Sequence, residues 1–220
     1  MSVPHRIIAI VEGHGEQTAV PRLLSRWFRH RNFRNFVTPD LAVRAAGCGA
    51  LKRPHDAEHE LGVEHYVEIA LRGRPAGILI VVGADDECAT RSRTPAGTGL
   101  GPEMLARAKA VAPHVPIGVV IANREYEVWF LAALDGLKRR GLVPARATLA
   151  RGTRVEGKGK ALFERLLGRK YEETIDQPDF SDCLPFTGAM ARRSRSFRKL
   201  LKELESLTRK ARRCAARRAR

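Results

Sequence analysis

The chain places carboxylates directly behind its apolar runs. RIIAIVE ends in Glu12, and Glu16 follows after Gly-His-Gly. ILIVV is followed by Gly83, Ala84 and then Asp85, Asp86 and Glu87 in a row; PIGVVIA is followed by Asn123, Arg124, Glu125, Tyr126 and Glu127. If these runs are parallel strands, their carboxyl ends form the rim where α/β proteins bind ligands, and the three acidic groups meet there. Carboxylates at such density repel one another, and a proton or a bound cation relieves them. Oxygen ligands with no cysteine and no obligatory histidine suit a hard ion, Mg2+ or Mn2+. Each acid taken alone is explained as a helix-start residue complementing the macrodipole; it is their joint occurrence that raises a shared metal site. Glu125 and Glu127, two apart, cannot share one helix face, so at most one of them points at an ion.

The elements that must carry these groups follow from periodicity. Residues 6–12 read as a buried strand, and GEQTAVPRLLSRWFRHR behind it carries Val20, Leu23, Leu24, Trp27 and Phe28 at helical spacing. Residues 36–46 hold a second strand candidate, weakened by Pro39. Residues 55–72 read as a helix, 78–82 as a strand, ECATRSRTPAGTGLGP as a loop, EMLARAKAVA as a helix and 116–122 as a strand. Asn123 stands at the N-cap position of a helix expected over REYEVWFLAALDGLKRR. This alternation predicts an α/β fold, a mostly parallel sheet of about four strands flanked by helices. Residues 1–140 form that domain, 141–208 a helical extension packed on it, and 209–220 a basic tail. Within the extension GKGKALFERLLGRKY reads as a short helix, QPDFSDCLPFTG as an irregular link and SRSFRKLLKELESLTRKARR as a final helix fraying into CAARRAR.

Charge narrows the partner. The 220 residues carry 40 Lys and Arg against 24 Asp and Glu, a net +16, and +11 of it falls from Arg192 onward. Such a segment attracts polyanions by counterion release, although a solvated tail has the same composition. Arg192, Arg193, Arg195, Arg198 and Lys199, with Lys158 and Lys160 of the GKGK run, are the candidate phosphate contacts. No apolar run reaches the ~20 residues of a membrane helix, and the N-terminus lacks signal-peptide character, so a cytoplasmic protein is expected. The four cysteines show neither disulfide nor zinc spacing. The Gly-His-Gly turn lacks the remaining glycines or the GK[ST] of a nucleotide loop, and His55 and His59, four apart, read as surface histidines.

IVEGHGEQTAVPRLL resembles the first motif of Toprim domains, in the form found in overcoming-lysogenization-defect (OLD) nucleases. With VVGADDECA, IANREYEVWFLA, YEETIDQPDF and SRSFRKL, most of the chain is similar to a bacterial Toprim-like family of unknown function. The resemblance implies Mg2+-dependent (or Mn2+-dependent) phosphodiester hydrolysis on DNA or RNA, possible membership of a bacterial phage-defence system, and an ATPase partner. By position, Glu12 matches the acid/base or ligand, Glu16 a further ligand, Asp85 the second aspartate with Asp86 beside it, and Glu127, or else Glu125, the later acid. Related sequences read DADD where this one reads GADD. Gly83 therefore stands in place of the first aspartate, and two readings stay open: Asp86 or Glu87 completes the metal shell, or the chain is a catalytically impaired nucleic-acid-binding or assembly subunit.

Overall fold

The computed structural model describes residues 3–53, 62–84, 99–150, 155 and 159–218. Three apolar runs form its central strands: β1 His5–Val11, β4 Gly77–Gly83 and β5 Ile117–Ala122. Apart from His5 and Arg6 at the start of β1, their residues are buried on both faces, which is why the sequences show continuous rather than alternating apolarity. Two short strands complete the sheet, β2 Phe36–Val37 and β3 Val43–Arg44. All pairings are parallel, in the order β2-β1-β4-β5, with β3 also on β1. The segment expected to be one strand over 36–46 is thus split around Pro39. β2 pairs with β1 at His5 and Arg6, while β3 rejoins it at Ile10 and Val11.

Helices cover both faces. Ile8, Ile10, Ile78, Ile80, Val82 and Val119 point toward α2 Cys48–Lys52, α3 Gly62–Arg72 and α4 Leu100–Val111. Ile7, Ala9, Val11, Leu79, Val81 and Val120 point the other way, into a core shared with α1 His14–His30, α5 Val128–Ala132, α6 Leu134–Arg139, α7 Gly159–Leu167, α8 Glu173–Ser181, α9 Gly188–Arg193 and α10 Arg195–Arg218. α10 lies on β5 and β4, and α1 packs along α8. Residues on either side of position 140 enter one continuous core.

Three elements differ from expectation. The helix after β5 starts at Val128, not behind Asn123, because Arg124 takes a left-handed φ of 72° that no helix continues through; it also breaks at Ala133 into α5 and α6. The stretch read as an irregular link contains most of α8 and the start of α9. α8 accommodates Pro178 because its start is tied elsewhere: Asp176 accepts the Glu172 N–H at 2.8 Å and both guanidinium arms of Arg169 at 2.8 and 2.6 Å. The final helix continues to Arg218 instead of fraying near Arg213, and Ser194 caps its start by accepting the Phe197 N–H at 3.2 Å. The expected helix start over 55–61 and most of the loop after β4 lie outside the described residues.

Candidate functional site

The sharp turn between β1 and α1 sets the first two acids. Glu12 follows the last residue of β1, Gly13 precedes α1 in extended conformation, and Glu16 lies in the first helical turn. The Glu12 carboxylate reaches across to the end of β4, where Oε1 accepts the Gly83 N–H at 3.1 Å. A Cβ built on Gly83 would lie 2.6 Å from the Arg124 carbonyl oxygen and 2.8 Å from Glu12 Oε1. Glycine here therefore lets the turn after β5 close over the end of β4, a geometric role beyond the absence of an aspartate.

Glu16 turns toward α8. Its Oε1 accepts from Gln177 Nε2 at 3.1 Å, and burial pushes its carboxyl above the usual range; the hydrogen bonds oppose this, and the Glu173 charge reinforces it. Gly15 makes the approach possible, since a Cβ there would lie 1.8 Å from Gln177 Oε1 and 2.8 Å from the Glu173 carbonyl. The Gly-His-Gly turn thus serves the packing of α8 on α1. His14, its middle residue, is exposed.

Glu127 ends the turn before α5 and is only 4% exposed. Burial raises its carboxyl to about 7; its own backbone hydrogen bond works against the rise, and the carboxylates of Glu16, Glu125 and Glu173 add to it. The Tyr171 hydroxyl, buried, faces Glu127 without closing a hydrogen bond of good geometry. Its ionisation is driven far upward by burial and then by the Glu127 charge, so it is an O–H donor at any ordinary pH. Tyr126 shares a buried hydrogen bond with Ser181 Oγ at 2.9 Å.

The countercharge to these acids comes from the protein. Lys160 Nζ is paired with Glu173, its backbone N–H donates to Glu125 Oε2 at 2.7 Å, and its ammonium is held charged by Glu173 first, with Glu127 and Glu125 contributing. Lys160, placed among phosphate contacts by composition, thus belongs to the acid rim. Glu173, Gln177 and Tyr171 are members that the strand-end pattern did not single out. Glu173 and Gln177 stand four apart, one turn of α8.

Of the candidate metal ligands, Glu16 and Glu127 come within electrostatic reach of each other, while Glu12 is engaged at Gly83. Asp85, Asp86 and Glu87 lie outside the described residues. Among the described residues no three His, Cys, Asp or Glu side chains are grouped so as to hold a metal ion. The described acids alone therefore do not fit Mg2+, which needs oxygen ligands converging at ~2.1 Å.

The candidate phosphate contacts are scattered. Lys158 lies outside the described residues. Arg193 donates to the Ala132 carbonyl at 3.2 Å and to Asp135 at 3.0 Å, and Lys199 is paired with Glu203 one turn on. Arg192, Arg195 and Arg198 are exposed. Among the described residues no helix is long and apolar enough to cross a membrane.

No family model matches the chain, and no curated protein matches it. Among solved structures it is similar to the C-terminal region of the Burkholderia pseudomallei OLD protein, at 15% identity and a TM-score of 0.43, with 94% of this chain and 98% of that one covered.

Proposed function

We propose that the chain is a nucleic-acid-binding protein of Toprim-like type whose acid rim is compensated from within and does not by itself hydrolyse phosphodiesters. The observation that carries this reading is the Lys160 ammonium seated among Glu173, Glu125 and Glu127. A protein cation supplies there what a bound ion supplies in a metal-dependent site. Burial raises the carboxyls of both Glu16 and Glu127, the latter to about 7, and so disfavours further negative charge in the rim. The net +16 favours a polyanion as the partner. The test is anisotropy with labelled DNA and RNA alongside nicking of supercoiled plasmid in Mg2+ or Mn2+. Binding without cutting supports the proposal; cutting lost in Glu12→Ala overturns it.

A hydrolase is the second reading, favoured by one observation: the Glu12 carboxylate is hydrogen-bonded to Gly83, two residues before Asp85. Asp85 and Asp86, which follow Gly83 in the sequence, would in this reading bring the oxygen ligands that the described residues lack. Calorimetric titration of Mg2+ into the wild type and Asp85→Asn separates the two readings. Heat of binding abolished by that substitution supports the hydrolase, and its absence in both proteins rejects it. An ATPase partner remains part of either reading, tested by co-purification with neighbouring ATPases.

A further inference from the structure

A dense group of exposed cations lies at the end of the molecule opposite the acid rim. α10 begins beside α5, where Ser196 Oγ accepts the Trp129 indole N–H at 2.9 Å, and ends at the amino-terminal edge of the sheet. There the Arg212 guanidinium sits 4.4 Å from the Phe33 ring centre and 5.5 Å from that of Phe36, whose ring meets His5 at the start of β1 at a tilt of 53°. Sixteen helical residues separate Ser196 from Arg212, about 24 Å. Past Glu205 the helix has no acid, while Arg209, Lys210, Arg212, Arg213 and Arg217 are all exposed. Arg29, Arg31 and Arg34, at the end of α1 and in the turn behind it, are exposed too. Arg31 is drawn to α10 by Glu205 at 3.6 Å. Between the end of α1 and β2 lies an open groove of about 430 Å3, lined by Arg29, Asn32, Phe33 and Arg34 among others.

We infer that this edge is a separate docking surface for the sugar-phosphate backbone of nucleic acid, remote from the acid rim and independent of it. The occupant follows from charge and shape. The cations form an exposed row along a rigid helix, continued by the arginines around the groove, which suits a linear polyanion and counterion release. The apolar stripe of α10, Phe197, Leu200, Leu204 and Leu207, is buried on the sheet. Nothing on that helix is therefore left to insert into a lipid surface, as an interfacial helix requires. Arg212, anchored over two aromatic rings, fixes the end of the row. His5 beside it is held below the usual histidine range by burial and then by the Arg212 charge, in keeping with a positive local potential.

The experiment is anisotropy of the full chain with a labelled duplex of about 20 base pairs, in chelator, across a salt series. The triple variant Arg209→Gln, Lys210→Gln, Arg213→Gln leaves Arg212 in its packing and should lose at least about tenfold in affinity, with a salt slope shallower by about 2 to 3. The matched triple Arg192→Gln, Arg195→Gln, Arg198→Gln at the other end of the helix should lose less than about threefold. Glu12→Gln with Glu127→Gln should bind like the wild type, so failure of the acid-rim reading leaves this result intact. Equal losses in the two triples, or no loss in the first while its thermal melt is unchanged, overturn the inference. So does binding to phosphatidylserine vesicles that is tighter than to the duplex and abolished by the same triple.

Discussion

Glu127 is a carboxyl kept in the protein interior among other carboxyls, and that fixes how stability must depend on pH. Its folded value of about 7 lies above its ordinary 4.5, so between these the folded state holds more protons than the unfolded state. Its contribution is fully present below 4.5 and is lost as pH rises through 7, a change on the order of 3 kcal/mol. Glu16, also raised, adds the same sign. Glu127→Gln should flatten the fall in melting temperature between pH 5 and 8; profiles that stay parallel would show that the group does not titrate there. Gly83 gives the second prediction at this scale. Restoring aspartate drives a Cβ against the Arg124 carbonyl, so Gly83→Asp should cost about 1–3 kcal/mol and yield no nicking activity. Gly83→Ala should cost a similar amount, and a denaturant titration reads both. The sequence marked Glu12, Glu16 and Glu127 because acids behind apolar runs share a rim. It could not mark Gly83 as a close-approach position, since that depends on Arg124, 41 residues away.

The elements recoverable from sequence were those whose own periodicity decides them: β1, β4 and β5 from continuous apolarity, α1 and α10 from one-sided stripes. Those lost were decided by side chains reaching across the chain. α8 is pinned by Arg169 and packed by Phe180 into a cluster with Phe130 of α5 and Phe163 of α7, ring centres 5.1 to 5.4 Å apart. Phe130 lies 50 residues from Phe180, outside any local window, so the sequence reads 177–188 as an irregular link. Phe163→Ala should therefore destabilise by about 3–5 kcal/mol and loosen α8, and with it Glu173 and Gln177, seen as faster amide exchange in 171–181 than in α3. On the opposite face Arg107 joins three segments: it grips Glu64 through two 2.7 Å bonds and donates to the Lys52 carbonyl at 2.9 Å. The pair is partly buried, so Arg107→Ala should cost about 3 kcal/mol, the penalty of stranding Glu64, whereas Glu64→Gln with Arg107→Met should cost less.

At the scale of the whole molecule, the question is whether the segment after residue 140 is an appendage or part of the layer that covers one face of the sheet. The sequence reads it as an extension packed on the sheet domain, because strand and helix alternation stops at Arg140. In the fold α10 packs on β4 and β5, and its Phe197, Leu200, Leu204 and Leu207 are each at most 1% exposed. At about 1.5–3 kcal/mol each, their burial is comparable to the entire stability of a domain of this size. A chain ending before Arg195 should therefore fail to fold, showing no cooperative thermal transition. A chain ending at Thr208 keeps these four anchors and loses only Ala211, the Arg212 stacking and the basic end. It should melt cooperatively a few degrees lower, keep the acid rim's pH response and lose most nucleic-acid affinity. If the shorter chain melts cooperatively, the α/β layer stands alone and α10 is an addition to it; if the longer one does not, the basic end belongs to the core rather than to a binding surface.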